Sequence, residues 1–197
     1  DKQDWRLVLV NKQHRLDGEY DIQLAYPDMT RIKGYKMYLD ERILNSVYDL
    51  FAAAKAAGHE LFFRSGHRTV ALQQTYYNNK MKERLGQGYS VEKAAELVEK
   101  TLAPPGASEH HTGLALDITT PAWQEAGGHL ISSFEDTAAA KWLFENAHLY
   151  GFILRYPKDK VDITHYSYEP WHYRYVGVEH ATAIYEQGLC LEEYLDQ

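Results

Sequence analysis

The chain has 197 residues, 45% of them hydrophobic and 25% charged, with a formal net charge of -7 and a single cysteine. This is a globular composition sized for one domain with a core, and it excludes a disordered chain. The acidic balance, with no Lys/Arg run, excludes a protein that tracks nucleic-acid phosphates; the lone Cys190 excludes an intrachain disulfide framework and a thiolate metal cluster; and no apolar run approaches the ~18 residues that span a bilayer.

Residues 5–10 (WRLVLV) read as an opening strand. Asp40 looks like an N-cap, and Ile43, Leu44, Val47, Tyr48, Phe51 and Ala54 recur at helical spacing until Gly58 closes the helix. Residues 61–63 form a short apolar strand that runs into Arg64-Ser65-Gly66-His67-Arg68. A helix is predicted over 69–85, and Ser90 caps another through Leu102. Ala103-Pro104-Pro105-Gly106 is a loop. Residues 113–119 alternate as a strand, 137–150 are helical with Gly151 as the stop, 152–156 and 172–176 are strands, and 178–187 are a helix. Strands and helices mix without regular βαβ alternation, which predicts an α+β fold with a small antiparallel sheet flanked by helices. No repeat or linker divides the chain, so one domain over 1–197 is expected. Cys190, in a late segment of helical character, reads as packing.

Three segments concentrate functional groups. The first is Ser108-Glu109-His110-His111-Thr112-Gly113-Leu114-Ala115-Leu116-Asp117. With a strand's period of two, Leu114, Leu116 and Ile118 share a core face, and Gly113, Ala115 and Asp117 share the other. That second face has two minimal side chains and then a carboxylate, which is costly to bury unless paired or bound to a cation. His110, in the turn before the strand, can lean over the same space. A turn-capping Asp beside a solvated His pair is the alternative. The second segment is Tyr168-Glu169-Pro170-Trp171-His172-Tyr173-Arg174-Tyr175. A regular strand would put Glu169 and His172 on opposite faces, but Pro170 breaks the ladder and lets them converge. Zinc takes three protein ligands and leaves a place for water, whose proton a nearby Glu removes. An aromatic edge strand with a chance ion pair is the alternative. The third is Ser65-Gly66-His67-Arg68, where Arg68 could enter a cleft and stabilise an oxyanion, or lie on the surface. His14, His59, His129, His148 and His180 read as surface or boundary residues.

On the motifs Ser-x-His-x-x-Gly-x-Ala-x-Asp (Ser108, His110, Gly113, Ala115, Asp117) and Glu-Pro-Trp-His (Glu169 to His172), the sequence resembles the D,D-carboxypeptidases of the vancomycin-resistance type, with their D,D-dipeptidase and L,D-carboxypeptidase relatives. Gly151 to Pro157 and Arg174 to Gly177 look like the same family, and the similarity runs over about residues 5–195. The resemblance implies a D-Ala-D-Ala metallopeptidase-like (hedgehog-like) fold with a zinc site on the sheet face. It implies zinc on His110, Asp117 and His172, Glu169 as general base and proton donor, and Arg68 at the oxyanion. It implies Ser108, Gln73 and Tyr156 at the peptide's end. Two positions depart from the pattern: His67 stands where relatives carry Tyr, and His111 where they often carry Gln. The second could alter the hydrogen bonding around the metal or be a solvent-facing change.

The expected activity is removal of the terminal D-Ala from peptidoglycan stem peptides or precursors. Cleavage of tetrapeptide stems at an L,D bond and splitting of free D-Ala-D-Ala share the machinery. From other classes, a silent metal-containing binding module is argued against by Glu169 and Arg68, and a two-His-one-carboxylate iron oxygenase by Glu169 and the missing close His-x-Asp spacing. The expected setting is extracytoplasmic, with a cytoplasmic one as the alternative. The chain starts at Asp1 without a leader, so a processed form or fragment is expected, with membrane attachment only through an N-terminal anchor outside it. A monomer and no nucleic-acid partner are expected.

Overall fold

The computed structural model describes residues 4–197. Two short strands, β1 (Leu24–Ala25) and β3 (Leu39–Asp40), pair antiparallel beside the main sheet. The main sheet comprises β2 (Lys33–Gly34), β4 (Phe62–Ser65), β5 (Ala115–Thr119), β6 (Phe152–Leu154) and β7 (His172–Tyr175), in the order β2-β4-β5-β7-β6. The pairs β4/β5, β5/β7 and β6/β7 are antiparallel as expected, whereas β2 joins β4 in parallel. That edge is two residues long, too short to show an alternating pattern in the sequence.

The helices are α1 (Leu44–Ala56), α2 (Val70–Gly86), α3 (Val91–Val98), α4 (Pro121–Glu125), α5 (Ala138–Asn146), α6 (Val161–Thr164), α7 (Val178–Gln187) and α8 (Leu191–Leu195). Their starts follow from their caps. Asp40 accepts from the Arg42 amide at the 3₁₀ turn before α1, Thr69 from Leu72 at α2, and Ser90 from Lys93 at α3. Helix α3 stops at Val98, short of Leu102, and the Leu102 amide returns to the Val98 carbonyl in a turn. Among the described residues no helix is long and apolar enough to cross a membrane.

The core lies between α1 and the sheet. Val47, Leu50, Phe51 and Ala54 of α1 pack with Phe63, Leu114, Leu116, Ile118, Phe152 and Tyr173. The face of β5 that the alternation assigned to the core is fully buried there, which leaves Asp117 on the opposite face. Cys190 is buried, as packing predicts. The opening segment is a correction. Residues 5–7 form a 3₁₀ turn capped by Asp4, followed by chain outside any ladder. The carbonyls of Arg6 and Val8 accept from the Arg174 guanidinium, so a side chain satisfies backbone that a partner strand would otherwise have paired.

Candidate active site

A short 3₁₀ turn, Glu109–Thr112, delivers His110 to the sheet. Ser108 caps it, its Oγ accepting from the His110 amide at 3.3 Å. Gly113 ends it at φ 70, a backbone state that favours glycine, and a Cβ there would lie 2.8 Å from the Asp40 nitrogen. Asp117 then sits directly opposite His172 in the β5/β7 register, so both side chains rise on one face. His110 Nε2 lies 3.4 Å from Asp117 Oδ2, and His172 Nδ1 lies 3.1 Å from Asp117 Oδ1. The three ligand atoms fall within 4.8 Å of one another, and all three residues are buried. Donors around a tetrahedral zinc at ordinary bond lengths are about 3.3 Å apart, so the two nitrogens and one oxygen fit that ion in spacing and type.

Hydrogen bonds decide which imidazole nitrogens are free. His110 Nδ1 donates to the Gly66 carbonyl at 2.8 Å, because a carbonyl can only accept, and Nε2 is left for a metal. His172 Nε2 faces Glu109 Oε1 at 3.1 Å, and Nδ1 is left on the cleft side. Glu109 is wholly buried. Its Oε2 accepts from Arg155 Nε at 2.6 Å and from Arg174 Nη1 at 2.9 Å. Burial works against this carboxylate's charge, but the two guanidiniums win and hold it well below the usual carboxylate range. The metal-free His172 lies between two carboxylates. Burial disfavours its charge, yet the hydrogen bonds to Asp117 and Glu109 push it up to about 10.

All eight residues singled out from the sequence line one cleft of about 590 Å³: Arg68, Gln73, Ser108, His110, Asp117, Tyr156, Glu169 and His172. Glu169 lies in the turn before β7, with Oε2 3.6 Å from His172 Nδ1, so Pro170 does bring the two side chains together. Burial first, then Asp117 and Glu109, push its carboxyl up to about 8, against the pull of His172. Arg68 Nη1 donates to Gln73 Oε1 at 2.9 Å, while Gln73 Nε2 donates to the Ala103 carbonyl at 2.7 Å. Gln73 therefore braces Arg68, with protein partners at both ends of its amide. The Tyr156 ring stands 4.8 Å from that of His172.

The corner carrying Arg68 is latched to the metal turn by backbone. Gly66 accepts from His110, the Arg68 amide donates to the His110 carbonyl, and the Arg68 carbonyl accepts from His111 Nδ1 at 2.7 Å. A Cβ on Gly66 would lie 2.6 Å from the Tyr38 carbonyl oxygen, so the close approach requires glycine. His111 is fully buried rather than solvent-facing, and its Nε2 accepts from the Gly106 amide. Burial holds it, and the half-buried His67, below the ordinary histidine range. His14 and His129 are exposed, and His59, His148 and His180 are half-buried, consistent with surface or boundary roles. Sequence reasoning gave no role to Glu109, Arg155 or Arg174. The available signal was an arginine inside each of two apolar strand segments, since a buried Arg demands a buried carboxylate.

A buried His–Asp–His group on a sheet face, beside a carboxyl held near neutrality in a cleft, defines a mononuclear metallohydrolase type of site. Comparison with known proteins is specific. The family model for D-alanyl-D-alanine carboxypeptidase, VanY, matches residues 36–178. A D-alanyl-D-alanine carboxypeptidase of Enterococcus faecalis is 43% identical over 196 residues, covering 100% of this chain and 68% of that protein. A structure of VanYB in complex with D-alanine-D-alanine superposes with a TM-score of 0.82 at 42% identity, covering 98% of each chain. A mutant of the vancomycin-resistance D,D-pentapeptidase VanY in complex with Zn(II) gives 0.80 at 43%, covering 97% of this chain and 99% of that one. The chain belongs to the VanY family of D-alanyl-D-alanine carboxypeptidases. The resemblance read from the two motifs is thereby borne out, and with it the α+β fold.

Proposed function

We propose that this chain is a zinc-dependent D,D-carboxypeptidase that removes the terminal D-Ala from peptidoglycan stem peptides or their precursors. Zinc is held by His110 Nε2, an Asp117 carboxylate oxygen and His172 Nδ1. The observation that carries the reading is the convergence of these donors, all buried, with Glu169 3.6 Å from the His172 donor nitrogen. Bound zinc supplies Lewis acidity, which lowers the pKa of water toward 7 and polarises the scissile carbonyl.

The chain's own groups do the rest. Glu169 takes a proton from the attacking water as its oxygen bonds to the carbonyl carbon. It returns that proton to the amide nitrogen as the C–N bond breaks, and D-Ala leaves as the free amine. A carboxyl that burial holds near neutrality is suited to both transfers. The Arg68 guanidinium, steadied by Gln73, stabilises the negative charge developing on the carbonyl oxygen. Ser108, Gln73 and Tyr156, which line the cleft, are assigned to the peptide's end, and Gln73 also braces Arg68. The activity is placed outside the cytoplasm, in a monomer.

Glu169→Ala should keep zinc and fold yet lose about 10²–10⁴-fold in turnover of a peptide ending in D-Ala-D-Ala; undiminished cleavage overturns the mechanism. Mass spectrometry of products from a pentapeptide, a tetrapeptide and free D-Ala-D-Ala, offered in parallel, should find D-Ala released mainly from the pentapeptide. Release from the tetrapeptide alone would make the enzyme an L,D-carboxypeptidase, and cleavage of the dipeptide alone a dipeptidase.

A further inference from the structure

We infer that Glu109 is a positioning residue of the metal site: its carboxylate fixes His172 with the proton on Nε2 and the lone pair of Nδ1 aimed at the metal. The inference rests on the ligand set proposed above and extends it by a residue outside that set.

Two observations carry it. The two oxygens of Glu109 are divided by task. Arg155 and Arg174 both bind Oε2, at 2.6 and 2.9 Å, and Oε1 is left to His172 Nε2 at 3.1 Å. Next, the carboxylate cannot turn. Arg155 is held from behind by Glu192 of α8, through two contacts of 2.8 Å, and Arg174 Nη2 donates to the carbonyls of Arg6 and Val8. Both ends of the chain thus brace one imidazole. A carboxylate on the far nitrogen of a ligating His orients the ring and raises its basicity, and losing such a partner typically weakens metal binding about 10–100-fold.

The test needs no substrate. In zinc-loaded wild-type protein labelled with ¹⁵N-histidine, long-range ¹H–¹⁵N correlation should show His172 protonated at Nε2 and metal-bound at Nδ1. The reverse tautomer overturns the inference. Glu109→Asp keeps the charge that the arginines require but withdraws the oxygen from Nε2. Chelator competition should then show zinc held about 10–100-fold more weakly, with the circular dichroism of the fold retained. Wild-type affinity in a folded Glu109→Asp protein overturns the inference. Should that variant not fold, the tautomer measured in wild type decides alone. Failure of the underlying reading looks different: His172 resonances that do not respond to zinc at all remove the ligand set, and this inference with it.

Discussion

Zinc must displace a proton to enter this site, and the structure sets the size of the effect. His172 Nδ1, the proposed donor, lies 3.1 Å from Asp117 Oδ1, and Nε2 lies 3.1 Å from Glu109 Oε1. Burial alone would strip the ring of its charge, but two carboxylates, one at each nitrogen, push it up to about 10. A metal ligand needs Nδ1 unprotonated. At pH 7 the metal-free ring is about three units below its pKa, so removing the proton costs about 4 kcal/mol at ~1.36 kcal/mol per unit. From His172 alone, apparent zinc affinity at pH 7 should therefore be about 10³-fold below its alkaline limit, and it should rise about tenfold per pH unit between pH 8 and 9 and more steeply below, where Glu169 also holds a proton. Glu169, pushed up to about 8, carries a second proton that a dication disfavours. Proton release per zinc should then exceed one near pH 6.5 and fall toward one above pH 8. The sign for stability follows. Both groups have folded values above their unfolded ones, so their contribution is complete at low pH and is lost as pH rises, toward 8 for Glu169 and 10 for His172. The metal-free protein should lose stability on the alkaline side while zinc binds more tightly, and the gap in Tm between the two forms should widen. Calorimetric titration in buffers of different ionisation enthalpy measures the protons, and thermal melts measure the gap. Zinc affinity that is flat from pH 6 to 8, after correction for zinc–buffer binding, would refute the reasoning.

Two substitutions test the elements that hold the site. Arg68→Ala should lower kcat about 10²–10³-fold with zinc content unchanged, the loss expected for one oxyanion donor; parallel steady-state kinetics and metal analysis check it. Gly113→Ala puts a Cβ 2.8 Å from the Asp40 nitrogen at φ 70 and should cost more than the ~1–2 kcal/mol of a left-handed residue. It should lower Tm and weaken zinc binding together, because the same turn presents His110.

Much of this site was legible because β5 obeys a simple period. Alternation along Leu114 to Ile118 assigns three large side chains to the core and leaves a carboxylate on a face otherwise made of Gly and Ala, and the structure buries the first set and turns Asp117 into the cleft. Glu169 and His172 were legible through Pro170, the one residue that could break the strand between them. Residues 5–10 misled for the opposite reason. Their apolar run is that of a strand, but the partner that takes two of their carbonyls is the side chain of Arg174, far along the chain. The parallel β2 edge is two residues long and held mainly by Gly34 and Tyr35 against Phe63, a contact without hydrophobic periodicity to announce it.

Glu109 escaped reading because its neighbour explained itself so readily. In the turn at 109–112, adjacent residues point in different directions, and here both end on the same imidazole. His110 stands beside the His172 ring at 4.9 Å between centroids and nearly perpendicular, on the cleft side. Glu109 meets the opposite nitrogen of that ring from the core side. Two consecutive residues thus bracket one ligand, one as a fellow donor and the other as its anchor. A sequence motif that marks His110 leaves the residue before it free, but in this fold that position faces two buried arginines, and a neutral residue there would leave Arg174 with no carboxylate partner and Arg155 with Glu192 alone. The identity of residue 109 is therefore tied to Arg155 and Arg174. Exchanging any one of the three alone should disturb His172.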